Sequence, residues 1–210
     1  MNLVDVHMED VTYLIKAVFA ELSDEEVTKL ARYVSLLLEW NTKINLISRK
    51  DVSNVIVKHI IPCLSIIRVT TFERYDHVLD IGTGGGLPGI PLAIANPHCN
   101  FVLLDSIKKK TVAVEDMVEK LGLKNVEVIN DRAENIHKKF DKIVARAVTN
   151  LGDFLLYASK LVKTPGRIFY LKGGDFAGDL KNIKNYKLHN IASLTGLRDL
   201  DDKVVLEIKF

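Results

Sequence analysis

LDIGTGGGLPGIPLA, Leu79 to Ala93, holds five glycines in fifteen residues, with Asp80 just ahead of them and Pro88 among them. The apolar run that leads in, HVLDIG, reads as a strand, and the stretch that leads out reads as a helix. A strand that enters a glycine loop at a helix start brings backbone donors and the positive helix end against a ligand. That ligand lies in the crevice at the carboxyl edge of a parallel sheet. A tight turn alone needs one or two glycines rather than this many. Pro88 fits the first turn of the helix, where its missing N–H is not needed.

The same alternation continues on the C-terminal side. NFVLLD, VEVIN, DKIVARA and GRIFYLKG are short apolar strands, and Val114, Met117, Val118 and Leu121 mark a helix that ends at Gly122. Repeated strand–helix units predict an α/β domain with a mostly parallel sheet covered on both faces. The tail departs from this, because KLHNIASLT and KVVLEIKF, joined by the turn-rich GLRDLDDK, read as a closing antiparallel hairpin.

On the N-terminal side the period is helical. Val11, Leu14, Ile15, Val18 and Phe19 form one stripe, and Val27, Leu30, Ala31, Val34 and Leu38 form a second. Ser23 and Glu26 predict a capping box for the second helix. A third helix over DVSNVIVKHII is expected to stop at Pro62, because the residue before proline is pushed out of the helical region. The chain therefore divides into a helical N-terminal element, residues 1–70, and an α/β domain, residues 71–210.

Two ligand classes use a strand–glycine loop–helix unit. Gly84, Gly86 and Gly89 match the GxGxxG frame of a dinucleotide site, so an NAD-dependent oxidoreductase is one reading. Asp80 favours the other. A carboxylate beside a pyrophosphate would repel it by about 1 to 4 kcal/mol at 4 Å. S-adenosylmethionine carries a sulfonium and an ammonium and no phosphate, so it suits Asp80 with Gly82, Gly84 and Gly86. Asp105, ending the next strand, is placed to accept from ribose hydroxyls, a role that fits either ligand.

Composition sets the outer bounds. The 210 residues are 48% hydrophobic and 27% charged, with a formal net charge of +2. That is enough for a full core, and it obliges any nucleic-acid site to concentrate its basic charge on one face. No apolar run approaches the roughly 20 residues of a membrane span, and MNLVDVHMED shows no basic-then-apolar leader, so cytoplasmic residence is expected. Cys63 and Cys99 stand outside any CxxC or Cys/His cluster and predict neither zinc nor a disulfide.

VLDIGTGGGLPGIPLA, LLDSIKKK, DRAENI, FDKIVARAV and GRIFYLKGG, in this order, with EWNTKINLISRKD and VKHII upstream, resemble the bacterial glucose-inhibited division protein B family. The resemblance runs from about Leu22 to the C-terminus, and GLPGIPLA is its most specific part. It implies a Rossmann-like, class I S-adenosylmethionine-dependent methyltransferase that modifies N7 of a guanine in the 530 loop of 16S ribosomal RNA. By matching positions, Gly82 and Leu87 would serve the methionine part and the loop, and Ala133 and Glu134 would face the adenine. Arg146 would sit beside the cofactor and the target base as the residue that acts in transfer.

The chemistry agrees with that resemblance. Enzymes that methylate an exocyclic amine carry Asn or Asp before Pro-Pro-aromatic after the fourth strand, and those that methylate C5 of a pyrimidine carry a nucleophilic cysteine. Here the fourth strand ends in ARAV and neither feature is present. Guanine N7 offers an in-plane lone pair, which requires no general base, only in-line placement at about 3 to 3.5 Å. For RNA, Lys108, Lys109 and Lys110 fall in the first turn of a helix, where cations oppose the helix dipole and an anionic partner would offset that cost. Arg132 and Lys172 at other strand ends, and His59 on the N-terminal element, extend the expected RNA surface. The substrate would be 16S ribosomal RNA or a small-subunit particle, bound by a monomer without metal. A non-catalytic RNA-binding protein on the same fold is the further alternative. Departures from the family are Pro62 and Cys63, where Asp-Ser is usual, and Ala145 and Val148, where the family has SRAF.

Overall fold

The computed structural model describes residues 8–148, 150–174, 177–180 and 183–210. Seven strands form one sheet in the order β3-β2-β1-β4-β5-β7-β6. They are β1 His77–Ile81, β2 Asn100–Asp105, β3 Val126–Asn130, β4 Phe140–Arg146, β5 Val162–Gly173, β6 Tyr186–Asn190 and β7 Lys203–Lys209. The pairs β1–β2, β2–β3, β1–β4 and β4–β5 are parallel, and β7 runs antiparallel to both β5 and β6. The chain moves outward from β1 to β3 and then returns to lay β4 on the other side of β1. The carboxyl ends of β1 and β4 therefore form the switch point where a ligand crevice opens.

Strand periodicity assigns the layers. Val78, Leu103, Val144 and Phe169 enter one apolar layer, and Leu79, Ile81, Leu104, Ile143, Ala145 and Tyr170 enter the other. The first layer also contains Ile15, Phe19, Leu30, Leu37, Ile60 and Leu64, so the N-terminal helices α1 Met8–Val18 and α2 Asp24–Lys43 are packed into the core. The capping box at Ser23 and Glu26 is formed, α4, Gly89–Ala95, follows the glycine loop, and Gly122 ends α5, Lys108–Leu121, in the left-handed conformation that glycine adopts without strain. Cys63 and Cys99 are buried and free.

Two elements differ from expectation. The helix predicted to stop at Pro62 continues through α3, Ile61–Leu64. A wider turn over Ile56–Ile60, in which Ile61 N–H donates to Ile56 O, precedes the proline. That turn absorbs the missing donor, and the Lys58 carbonyl, four residues before Pro62, instead faces Lys203 Nζ at 3.5 Å. In the tail, KLHN forms β6, but IASLT is the short helix α7, Ile191–Thr195, capped by Asn190, whose side chain accepts from Ser193 N–H. The antiparallel pair is present with a helix inside its connection. Among the described residues, no helix is long and apolar enough to cross a membrane.

Candidate active site

A cleft of ≈ 290 Å³ opens at the carboxyl edge of the sheet, near the lower end of volumes that hold small ligands. Gly82, Asp105, Ala133 and Glu134, expected at the cofactor, line it together with Lys110 and Arg132, expected on the RNA surface, whereas Asp80, Gly84, Leu87 and Arg146 are not on its wall. Ile81, Leu104, Ser106, Asp131, Ala147, Val148 and Tyr157 complete the wall. Of these, Val148 was visible in the sequence only as a departure from the family. Tyr157 comes from α6, Leu151–Leu161, where the helical stripe gives no sign that one face overlooks a cleft.

Asp105 gives the cleft its acidic floor. It is buried, its Oδ2 accepts from Gly84 N–H at 2.9 Å, and its Oδ1 accepts from Ile107 N–H at 2.9 Å. Both bonds fix the carboxylate between the glycine loop and the start of α5. Glu134 is exposed at the opposite rim, near Tyr157, whose phenol burial and the Glu134 charge push up to about 12. Val148 lies over Gly82, where a Cβ would come within 3.0 Å of Val148 Cγ2. Gly82 has φ +72° as well, so contact and backbone both require glycine there.

Asp80 lies behind the loop and outside the cleft wall. Leu79 and Ile81 point into one layer, so Asp80 points into the other, beneath the loop and fully buried. Its Oδ2 accepts from Thr83 Oγ1 at 2.7 Å and from Gly89 N–H at 2.8 Å, while Oδ1 has no partner among the described residues. Burial pushes the carboxyl up to about 7, against the Thr83 and Gly89 bonds that favour its charged form. This changes the physical reason for separating the two ligand classes. Charge repulsion from Asp80 is replaced by a count of donors.

Gly82 and Thr83 N–H donate to Leu104 O, Gly84 N–H to Asp105, and Gly86 and Leu87 N–H to Thr83 O. Gly89 N–H goes to Asp80, Ile90 N–H to Gly86 O and Leu92 N–H to Pro88 O, while Pro88 and Pro91 have no N–H. From Gly82 to Leu92, every N–H other than that of Gly85 thus has a partner inside the protein. A pyrophosphate cradle depends on such donors being open.

The N-terminal helices buttress this loop. Tyr33 Oη donates to Gly85 O at 2.8 Å, and a Cβ on Gly85 would lie 2.8 Å from Leu37 Cδ1 and 3.1 Å from Leu46 Cβ. Asn41, from the EWNTKINLIS stretch, accepts from the N–H groups of Leu46 and Ile47 and so shapes the turn that presents Leu46. Gly84 and Leu87 belong to the loop but do not line the cleft, and Leu87 is buried.

Arg146 ends β4 on the face covered by the N-terminal helices, and its Nη1 lies 2.7 Å from His59 Nδ1. His59 is therefore turned inward onto Arg146, with its side chain 12% exposed. Lys108 and Lys109 are exposed at the start of α5, with Lys110 half-buried beside the cleft. Lys172 is half-buried near the end of β5. Among the described residues, no group of His, Cys, Asp and Glu side chains converges as a metal site.

The family model described as rRNA small subunit methyltransferase G matches residues 26–195. A curated relative of that name from Flavobacterium psychrophilum is 40% identical over 90% of this chain and 94% of its own. The chain belongs to this methyltransferase G family. A relative of the same name from Flavobacterium johnsoniae is 42% identical over 84% of this chain and 87% of its own. Among solved structures, a SAM-dependent methyltransferase from Aquifex aeolicus matches with TM-score 0.56 at 16% identity, covering 73% of this chain and 93% of that one. The T. thermophilus 16S rRNA N2 G1207 methyltransferase in complex with AdoMet and guanosine matches with TM-score 0.55 at 17% identity, covering 71% and 41%. These likenesses establish a Rossmann-like, class I methyltransferase fold, whose sheet here ends in the antiparallel strands β7 and β6.

Proposed function

We propose that this protein transfers a methyl group from S-adenosylmethionine to N7 of a guanine in the 530 loop of 16S ribosomal RNA, in the cytoplasm. The observation that carries this reading is the cleft at the switch point of a methyltransferase G chain, floored by Asp105 beside a glycine loop whose donors are occupied. When bound, S-adenosylmethionine supplies an electrophilic methyl on a sulfonium sulfur. The residues present fit such a ligand: Asp105 for ribose hydroxyls, Ala133 and Glu134 for the base edge, and Gly82, which lines the cleft without a side chain. The occupied loop donors disfavour a dinucleotide.

Arg146 orients the target, since its guanidinium fork matches guanine O6 or a phosphate. The protein's residues would have no proton to remove, since a bound sulfonium would offer its methyl to the N7 lone pair and keep the bonding pair on sulfur. His59 is not needed as a base. Lys108, Lys109, Lys110 and Arg132 bind phosphates along the cleft rim. The test is transfer of labelled methyl from S-adenosylmethionine to naked 16S RNA and to small subunits. Incorporation into either supports the reading, and none into either, with retained RNA binding, would favour a non-catalytic RNA-binding role.

A further inference from the structure

His59 was expected on the RNA surface, and its surroundings give it a different task. Arginine only donates, so the 2.7 Å contact makes His59 Nδ1 the acceptor and puts the imidazole proton on Nε2. Nε2 faces Asp51 Oδ2 at 3.4 Å, an electrostatic contact rather than a formed hydrogen bond. Asp51 is held in turn by Lys58 Nζ at 2.7 Å. Asp51 and His59 come from the N-terminal element and Arg146 from β4. The wide turn over Ile56–Ile60 sets the direction of His59, a local swelling of the helix of the kind often found at functional positions.

We propose that Asp51 and His59 form a positioning pair for Arg146. The neutral imidazole takes one guanidinium N–H, which leaves the other donors of the fork free for the target nucleotide. Asp51 favours the Nε2–H tautomer that makes this possible. The proposal rests on Arg146 acting at the target base, as argued above. The charges facing the imidazole agree with an acceptor role: Arg146 on β4 and Lys203 on β7 oppose a further positive charge, with Asp51 the counterweight. Burial and then Arg146 push His59 down to about 4, so it stays neutral at physiological pH.

Two measurements on the full chain decide it. In long-range 1H–15N spectra, wild-type His59 should remain the Nε2–H tautomer down to about pH 5, and Arg146→Ala should move its titration upward toward 6.5. In methyl transfer, His59→Phe should lower kcat about 100-fold with S-adenosylhomocysteine affinity unchanged within about twofold. His59→Gln, whose amide oxygen can accept the same N–H, should recover about tenfold of that loss. A wild-type His59 that titrates near 6.5, or His59→Phe at wild-type kcat, would overturn the pair. If wild-type protein methylates no RNA, the functional reading fails, and the tautomer and its response to Arg146→Ala then decide the pair alone. The wild-type spectra also guard against a variant that does not fold.

Discussion

At the end of β1, the N–H groups of Gly82, Thr83, Gly84, Gly86, Leu87 and Gly89 turn inward, onto Leu104, Thr83, Asp105 and Asp80. At the ends of β3 and β4, by contrast, Arg132 and Glu134 are exposed, and among the described residues Arg146 engages its fork only through Nη1 on His59. The first region is a shaped surface most of whose N–H groups are satisfied within the protein. The second carries charged side chains at the surface or at a strand end. In the function proposed above, the glycine loop supplies form and the neighbouring strand ends supply chemical recognition. Substitutions in the first region should act through folding and those in the second through substrate.

The largest effect should follow Gly89→Ala. A Cβ there would stand 2.1 Å from Leu103 Cδ2 and 2.7 Å from Asp80 Oδ2, in a layer without slack. We expect a loss of about 3 kcal/mol or more in urea denaturation, together with weaker S-adenosylhomocysteine binding. Full stability in this variant would break the division between the two regions.

Arg146→Lys comes next. It keeps the charge and loses the planar fork, so single-turnover transfer should fall about 100-fold while RNA affinity falls less. Arg146→Ala should lower both. Equal losses of rate and binding in Arg146→Lys would reduce Arg146 to a phosphate contact.

Asp80 sharpens the comparison through pH. Its folded pKa of about 7 lies above the ordinary 3.8, so its contribution to stability is full below about pH 3.8 and is lost as pH rises through about 7. Asp80→Asn removes that ionisation and keeps an oxygen for Thr83 and Gly89. Relative to wild type, it should gain about 3 kcal/mol between pH 4 and pH 8, the order of magnitude set by the shift. A difference that does not vary with pH would show that Asp80 is ionised throughout.

The smallest change should come from Lys108→Glu/Lys110→Glu. RNA affinity should drop and its salt dependence flatten, because fewer counterions are released, with little change in cofactor affinity. An unchanged salt slope would assign these lysines to solvent.

Much of this was legible in the sequence, for reasons that can be named. Strand–helix alternation and the glycine run gave the sheet and the place of the cleft, because both follow from local period and backbone freedom. Gly82, Asp105, Ala133 and Glu134 could be placed because each lies at or just beyond a strand end. The direction of Asp80 was misjudged: its place before the glycines suggested a ligand contact, whereas alternation with Leu79 and Ile81 turns it under the loop. His59 on Arg146 and Tyr33 on Gly85 were not legible, since each joins elements 87 and 52 residues apart. Pro62 misled because a wide turn upstream can absorb a proline that would otherwise end a helix.

The most direct test of the central claim, a site that positions guanine N7 without a general base, is to map the methylated atom after single-turnover reaction with small subunits. Borohydride reduction followed by aniline cleaves the chain at 7-methylguanosine. The account predicts one cleavage, at a guanine in the 530 loop, matching the label incorporated. Label on an exocyclic amine or a pyrimidine carbon, with no cleavage there, would contradict it.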